Sequence, residues 1–210
     1  MTPPTAPAKI AEVTTSPPDP HLDPITRFQQ LFARAAASEP DATAVALATA
    51  DATGAPSVRM VLLKAVDAAG FVFFTNYESR KARELSVNPR AALCFYWPTV
   101  GAQVRIEGGV ERVTAAESEE YFATRPRESQ LGAWASQQSR PLASPAALRE
   151  EFERASTRFA GQPVPRPPVW GGYRVRPERI EFWHAGEHRL HDRILYTREG
   201  EGWKLERLFP

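Results

Sequence analysis

Arg59, Lys64, Arg80 and Lys81 are the residues whose types and spacing suit chemistry on a small anion. Ser79-Arg80-Lys81 opens a helix carried on by Ala82, Leu85 and Val87, with Ser79 at its cap. The macrodipole favours anions at a helix start, so two cations beside its free N–H groups point to a bound phosphate. Arg59 on the adjoining strand adds a fork able to grip the same anion at two points. The competing reading is a solvated basic helix start.

Further along, Tyr121, Arg125, Arg127 and Ser129 surround a helix break at Arg125-Pro126, and Gln137-Gln138-Ser139 forms a polar run. Trp183, Arg189, His191 and Arg193 gather near the C-terminus. Two clusters that combine Arg or Lys with hydroxyls suggest two phosphates, hence a phosphorylated cofactor and a phosphorylated substrate. His184, His188, His191 and Asp192 invite a metal reading, but Gly186 among Phe182, Trp183 and Leu190 makes a strand, turn and strand. A polar pocket built by a hairpin is the better reading, and no metal is expected.

Other classes drop out. There is no GxGxxG after a strand, no GxxxxGK[ST] and no GxSxG elbow. Cys94, the single cysteine, sits in the apolar run Ala91–Trp97 and reads as a small buried hydrophobe in a reducing compartment. A formal net charge of +1 argues against a broad nucleic-acid footprint. No run approaches the roughly 18 apolar residues of a membrane span, and the N-terminus lacks the layout of a secretory signal. A cytoplasmic protein is expected.

The elements that must position these residues follow from periodicity. Residues 1–20, rich in Pro, Thr and Ala, read as a disordered tail, and 21–210 as a single domain. Asp23-Pro24 starts a helix with Ile25, Phe28, Leu31, Phe32 and Ala35 on one side. Ala44–Thr49 is a strand turned by residues 51–54. Val58–Lys64 and Phe71–Thr75, joined through residues 66–70, read as an antiparallel hairpin. Strict alternation puts Arg59 and Lys64 on opposite faces, so either a bulge intervenes or Lys64 sits at the strand end. Ala91–Trp97 and Gln103–Val113 are strands, the second with Gln103, Arg105 and Glu107 sharing a face. Helices follow over Glu117–Thr124, up to Trp134, and from Ser144-Pro145 with Leu148, Phe152, Ala155 and Phe159 inward. Residues 163–168 form a polyproline-like connector. Four strands close the chain: Tyr173–Val175, Ile180–Trp183, Arg189–Tyr196 and Trp203–Leu208. This is a mainly β, antiparallel chain with flanking helices, more a barrel than a parallel α/β sheet.

The motifs RMVLLK (59–64), FFTNYESRKA (73–82), QVRIEG (103–108), YFATRPRESQLGAWASQQS (121–139), PVPRPPVWGGYRV (163–175), EFW (181–183) and RLHDR (189–193) occur in order. Together they resemble the pyridoxamine 5′-phosphate oxidase family from about Asp23 to Pro210. The resemblance implies a split β-barrel homodimer with one FMN per subunit at the interface. By position, FMN would meet Arg59, Met60, Val61, Leu62, Leu63, Lys64, Phe74, Thr75, Arg80, Lys81, Gln103, Gln138, Ser139, Trp183 and Arg193. The substrate would meet Lys64, Tyr121, Arg125, Ser129, Arg189, Leu190 and His191. Arg189 and His191 are the implied catalytic pair, His191 as a proton acceptor. The implied reaction takes pyridoxamine or pyridoxine 5′-phosphate to pyridoxal 5′-phosphate, with O2 reduced to H2O2. Two departures stand out: the tail lacks the family's substrate-covering Arg and Tyr residues, and Ala102 replaces an Arg expected to pair ions at the dimer interface. The alternatives are a split-barrel flavoprotein acting on another small molecule, as in the phenazine pathway, and a non-catalytic FMN or pyridoxal phosphate carrier.

Overall fold

The computed structural model describes residues 22–210, so the expected tail and its covering role lie outside the described residues. Helix α1 (Pro24–Ala36) begins as expected: Asp23 Oδ1 accepts from the Ile25 and Thr26 amides and Pro24 occupies the first turn. Its apolar side lands on the sheet. Phe28 is fully buried, with ring centroids 4.8 Å from Phe71, 5.1 Å from Phe95 and 5.8 Å from Trp97.

Nine antiparallel strands form one curled sheet. They are β1 (Ala44–Ala50), β2 (Pro56–Leu62), β3 (Ala65–Asp67), β4 (Gly70–Asn76), β5 (Arg90–Trp97), β6 (Ala102–Arg112), β7 (Trp170–His184), β8 (Asp192–Glu199) and β9 (Gly202–Leu208). The order runs β2-β1-β5-β6-β7-β4-β3, with β8 and β9 added along the far half of β7.

The expected hairpin is rearranged. β2 pairs with β1, and only the short β3 pairs with β4. β2 and β3 are neighbours in the chain yet lie at opposite ends of the strand order, so the sheet must curl until its edges meet at Leu63 and Lys64. Leu63 turns into the core and the Lys64 amide donates to Val72 O at 2.8 Å. Lys64 therefore stands past the end of β2, where strand alternation no longer dictates its side.

Two further expectations change. Tyr173–Val175 and Ile180–Trp183 belong to the single fifteen-residue strand β7. Pro177 is accommodated at a register shift opposite Gly108, where β6 comes so close that a Cβ would lie 1.9 Å from Arg176 O. Leu148 is exposed, because helix α5 (Pro145–Arg158) buries only Ala155 and, just beyond its end, Phe159.

Alternation on β6 holds: Val104 and Ile106 are in the core, while Gln103, Arg105 and Glu107 face out. Ala102 is itself fully buried in the core, away from that outer face. Helices α3 (Ala115–Ala123), α4 (Arg127–Ala135) and α5 form a lobe around a second apolar cluster of Phe122, Leu131, Ala155, Phe159, Val164 and Trp170. Helix α2 (Arg80–Val87) lies near β1, capped by Ser79 as expected.

Candidate active site

A cleft of about 480 Å³ opens between the barrel seam and the helical lobe. Each wall comes from a different element. Met60, Val61, Leu62 and Lys64 come from the end of β2, Phe74 and Thr75 from β4, and Lys81 from α2. Tyr121, Arg125, Ser129, Gln138 and Trp170 complete it from the lobe and the start of β7. Sequence-nominated residues from three separate motifs thus meet in one place.

One end of the cleft is aromatic. Phe74 stacks on Tyr121 at 4.1 Å and on Trp170 at 5.3 Å between centroids. Gly172, opposite Phe74 across the ladder, makes this possible, since a Cβ there would lie 2.8 Å from the Phe74 ring. The Arg125 guanidinium lies 4.7 Å from the Trp170 ring centre, and its Nη1 is buried without a protein partner. Burial lowers its pKa, but an arginine remains charged. A buried guanidinium nitrogen with nothing to donate to is suited to donating to an anion. Its neighbour Arg127 is not part of this: it holds Gln162 O and Phe159 O and ties α4 to the end of α5.

The other end is cationic. Lys81 is buried, and its Nζ donates to Thr75 Oγ1 at 3.1 Å and Gln138 Oε1 at 3.0 Å. Burial, reinforced by repulsion from Arg59 and partly offset by Glu84, lowers its pKa to about 8. Arg59 lies just outside the cleft. Its terminal nitrogens bond Leu47 O, Thr49 Oγ1, Ser57 Oγ and Glu84 Oε2. Arg80 bonds Glu84 Oε1 through Nε at 2.8 Å, and its terminal nitrogens have no partner among the described residues. Ser139 follows Gln138 with a left-handed φ of 70°, in a loop tied to the start of α2 by Arg140–Glu78 at 2.6 Å.

The remaining nominated residues are elsewhere. Gln103, Trp183 and Arg193 face one another in a row across β6, β7 and β8. Arg193 pairs with buried Glu181 at 2.8 Å. Arg189 and Leu190 project from the tight turn before β8, Leu190 being 73% exposed. The Gly186 amide donates to His191 Nδ1 at 3.1 Å, which leaves the proton of the neutral ring on Nε2. Phe74 is opposite Gly172 and Arg193 is opposite Trp183, eleven residues further along β7. That is roughly 36 Å of extended strand. A single chain holds the two groups at opposite ends of one element.

Glu84 and Trp170 escaped the sequence reading. Glu84 looks like an ordinary i, i+4 partner of Arg80, and Trp170 like another core aromatic; only the long-range packing marks them.

The sequence matches a family described as pyridoxamine 5′-phosphate oxidase over residues 32–159 and a pyridoxine 5′-phosphate oxidase C-terminal dimerisation region over 170–210. It is 60% identical over 195 residues to the pyridoxine/pyridoxamine 5′-phosphate oxidase of Anaeromyxobacter dehalogenans, covering 92% of this chain and 98% of that protein. It is 57% identical to the enzyme of the same name from Myxococcus xanthus DK1622, covering 90% and 92%. Among solved structures it is similar to PhzG from Burkholderia lata 383 in complex with tetrahydrophenazine-1-carboxylic acid, with a TM-score of 0.86 and 35% identity over 91% of this chain and 95% of that one. A pyridoxamine 5′-phosphate oxidase-related, FMN binding protein from Nostoc punctiforme PCC 73102 shares the fold, with a TM-score of 0.73 at 18% identity over 90% of this chain and 99% of that one.

Proposed function

This chain belongs to the pyridoxamine 5′-phosphate oxidase family and is an oxidase of that family, and from that premise we propose that it converts pyridoxine or pyridoxamine 5′-phosphate to pyridoxal 5′-phosphate using FMN and O2, as a homodimer. The observation that carries this reading is the cleft with two anion-binding ends: buried Lys81 with Thr75 and Gln138 at one, unpartnered Arg125 at the other.

The residues present fit FMN. Lys81, Arg80 and Ser139 would take its phosphate, with Arg59 behind them, and Met60–Leu62 with Gln138 would border its ring. FMN, when bound, supplies the acceptor for two electrons, which O2 then removes as H2O2. The chain does the rest. Arg125, Ser129, Lys64 and Tyr121 bind the substrate phosphate and so fix where the pyridine ring lies. The stacked Phe74, Tyr121 and Trp170 exclude water from that end. Arg189 and His191 Nε2–H orient the ring's polar substituents by donating hydrogen bonds.

The homodimer accounts for the remote row Gln103, Trp183 and Arg193, which a second copy would bring to this cleft. Its surface is at hand. The outer sheet face carries Val58, Met60 and Leu62, all exposed, beside the small outward residues Ala44, Ala46 and Ala48. An unpartnered apolar sheet face of this kind is expected to be covered. The match of residues 170–210 to a dimerisation region supports the same reading.

A second reading, oxidation of a phenazine precursor, draws on the likeness to PhzG. The higher identity to pyridoxine/pyridoxamine 5′-phosphate oxidases, 60% and 57% against 35% for PhzG, favours a phosphorylated substrate instead. The FMN-loaded protein, mixed anaerobically with pyridoxine 5′-phosphate, is expected to lose its visible flavin absorbance and regain it with peroxide in air. A flavoprotein that stays oxidised with this substrate but bleaches with a dihydrophenazine acid would replace the proposal with the second reading.

A further inference from the structure

Glu84 is a buried carboxylate that sits among cations where a phosphate is expected. Its side chain is 6% exposed, and four groups from three elements converge on it. Oε2 accepts from Thr49 Oγ1 at 2.5 Å, Ser57 Oγ at 2.7 Å and Arg59 Nη2 at 3.1 Å, and Oε1 accepts from Arg80 Nε at 2.8 Å. Burial alone would raise its pKa, but these hydrogen bonds win and hold it at about 2, so it is ionised at any physiological pH.

A buried carboxylate beside an anion site opposes the anion unless it contributes something else. Two contributions are visible. Arg80 is 61% exposed, and a long side chain at that exposure would sample many rotamers; the bond from its Nε anchors the stem while both terminal nitrogens remain without a protein partner. Charge is the second. Arg59, Arg80 and Lys81 are three cations, and one carboxylate leaves a formal net charge of +2, matching a phosphomonoester of about −2. Without Glu84 the three cations would repel one another, and the most weakly protonated, Lys81, would give way first.

We propose that Glu84 is a positioning residue for the cofactor phosphate: it anchors Arg80 with its terminal nitrogens free, holds Arg59 behind it and balances the charge of the three cations. This rests on the reading that the FMN phosphate lies at this end of the cleft. The effect is specific to phosphate, because Glu84 lines no part of the ring-binding walls.

The test is titration of FMN and of riboflavin into the apo-protein, followed by quenching of flavin fluorescence, with thermal unfolding of each apo variant alongside. The native protein is expected to bind FMN far more tightly than riboflavin. Glu84→Ala is expected to weaken FMN by about tenfold or more and leave riboflavin within about twofold. Glu84→Gln, which keeps the shape and one acceptor, should fall between and serves if the alanine variant does not fold. Equal losses for both flavins, unchanged FMN affinity, or tighter FMN binding on removing the carboxylate would each overturn the proposal. A native protein that does not prefer FMN to riboflavin would instead overturn the placement of the phosphate.

Discussion

Lys81 meets only neutral acceptors at its ammonium group, Thr75, Ser79 and Gln138, while Arg59 and Glu84 are the charges that act on it. With a pKa near 8 in the free protein, it is charged below that pH, and a bound phosphate raises the value again. FMN binding should therefore take up a proton above about pH 8, and affinity should fall as pH rises through that region. Calorimetry in two buffers of different ionisation enthalpy reads the proton uptake directly, and Lys81→Met should abolish it. At the other end, Arg125→Met removes the unpartnered donor. It is expected to raise KM for pyridoxine 5′-phosphate by about 10- to 100-fold while leaving FMN affinity within a factor of about two. A loss of FMN affinity equal to the rise in KM would show Arg125 to be holding the cleft together and not the substrate.

The elements were legible where one period or cap decides them. Asp23-Pro24, Ser79 and the alternation of Gln103, Arg105 and Glu107 were read correctly because a cap or a pleat is local physics. β7 reads as two strands because Pro177 looks like a strand breaker, and only the close approach of Gly108, far away in the sequence, shows how a bulge absorbs it. The pairing of β2 with β1 was equally out of reach, since it depends on which edge the chain crosses to at Leu63. The site residues were nominated largely by motif, and the structure separates them into two groups that no spacing rule divides. Two glycines carry predictions at this scale. Gly172→Ala would drive a methyl into the Phe74 ring, costing about 1–3 kcal/mol of stability and raising KM through the displaced Phe74–Tyr121 stack; thermal unfolding and steady-state kinetics check the two parts. Gly186→Ala would place a Cβ 2.0 Å from Leu190 O. The turn carrying Arg189 and His191 should then shift, slowing anaerobic flavin reduction while the unfolding temperature of the barrel changes little.

On the scale of the whole molecule, the prediction is that activity belongs to two chains. Lys81→Met damages the cleft and Arg193→Met the remote row, so each homodimer should be inactive. Co-refolding the two should restore about a quarter of native activity, because half the dimers are mixed and each has one intact site. Placing both substitutions on one chain and mixing with native chain gives a different ratio, and no recovery in the first mixture would mean that each chain builds its own site. Val58→Glu on the exposed face should yield monomers by light scattering. β7 then acquires a further meaning. Its near end carries Trp170 and Gly172 at one cleft, and in the proposed homodimer its far end would carry Trp183 to the cleft of the other subunit. The strand would then be a ruler whose residue count sets the spacing between the two reaction centres. Loops elsewhere can lengthen freely over evolutionary time, but two residues added to β7 would preserve every inward and outward side chain and still move the two centres apart by about 7 Å. The length of this one strand should therefore be the least negotiable dimension of the protein.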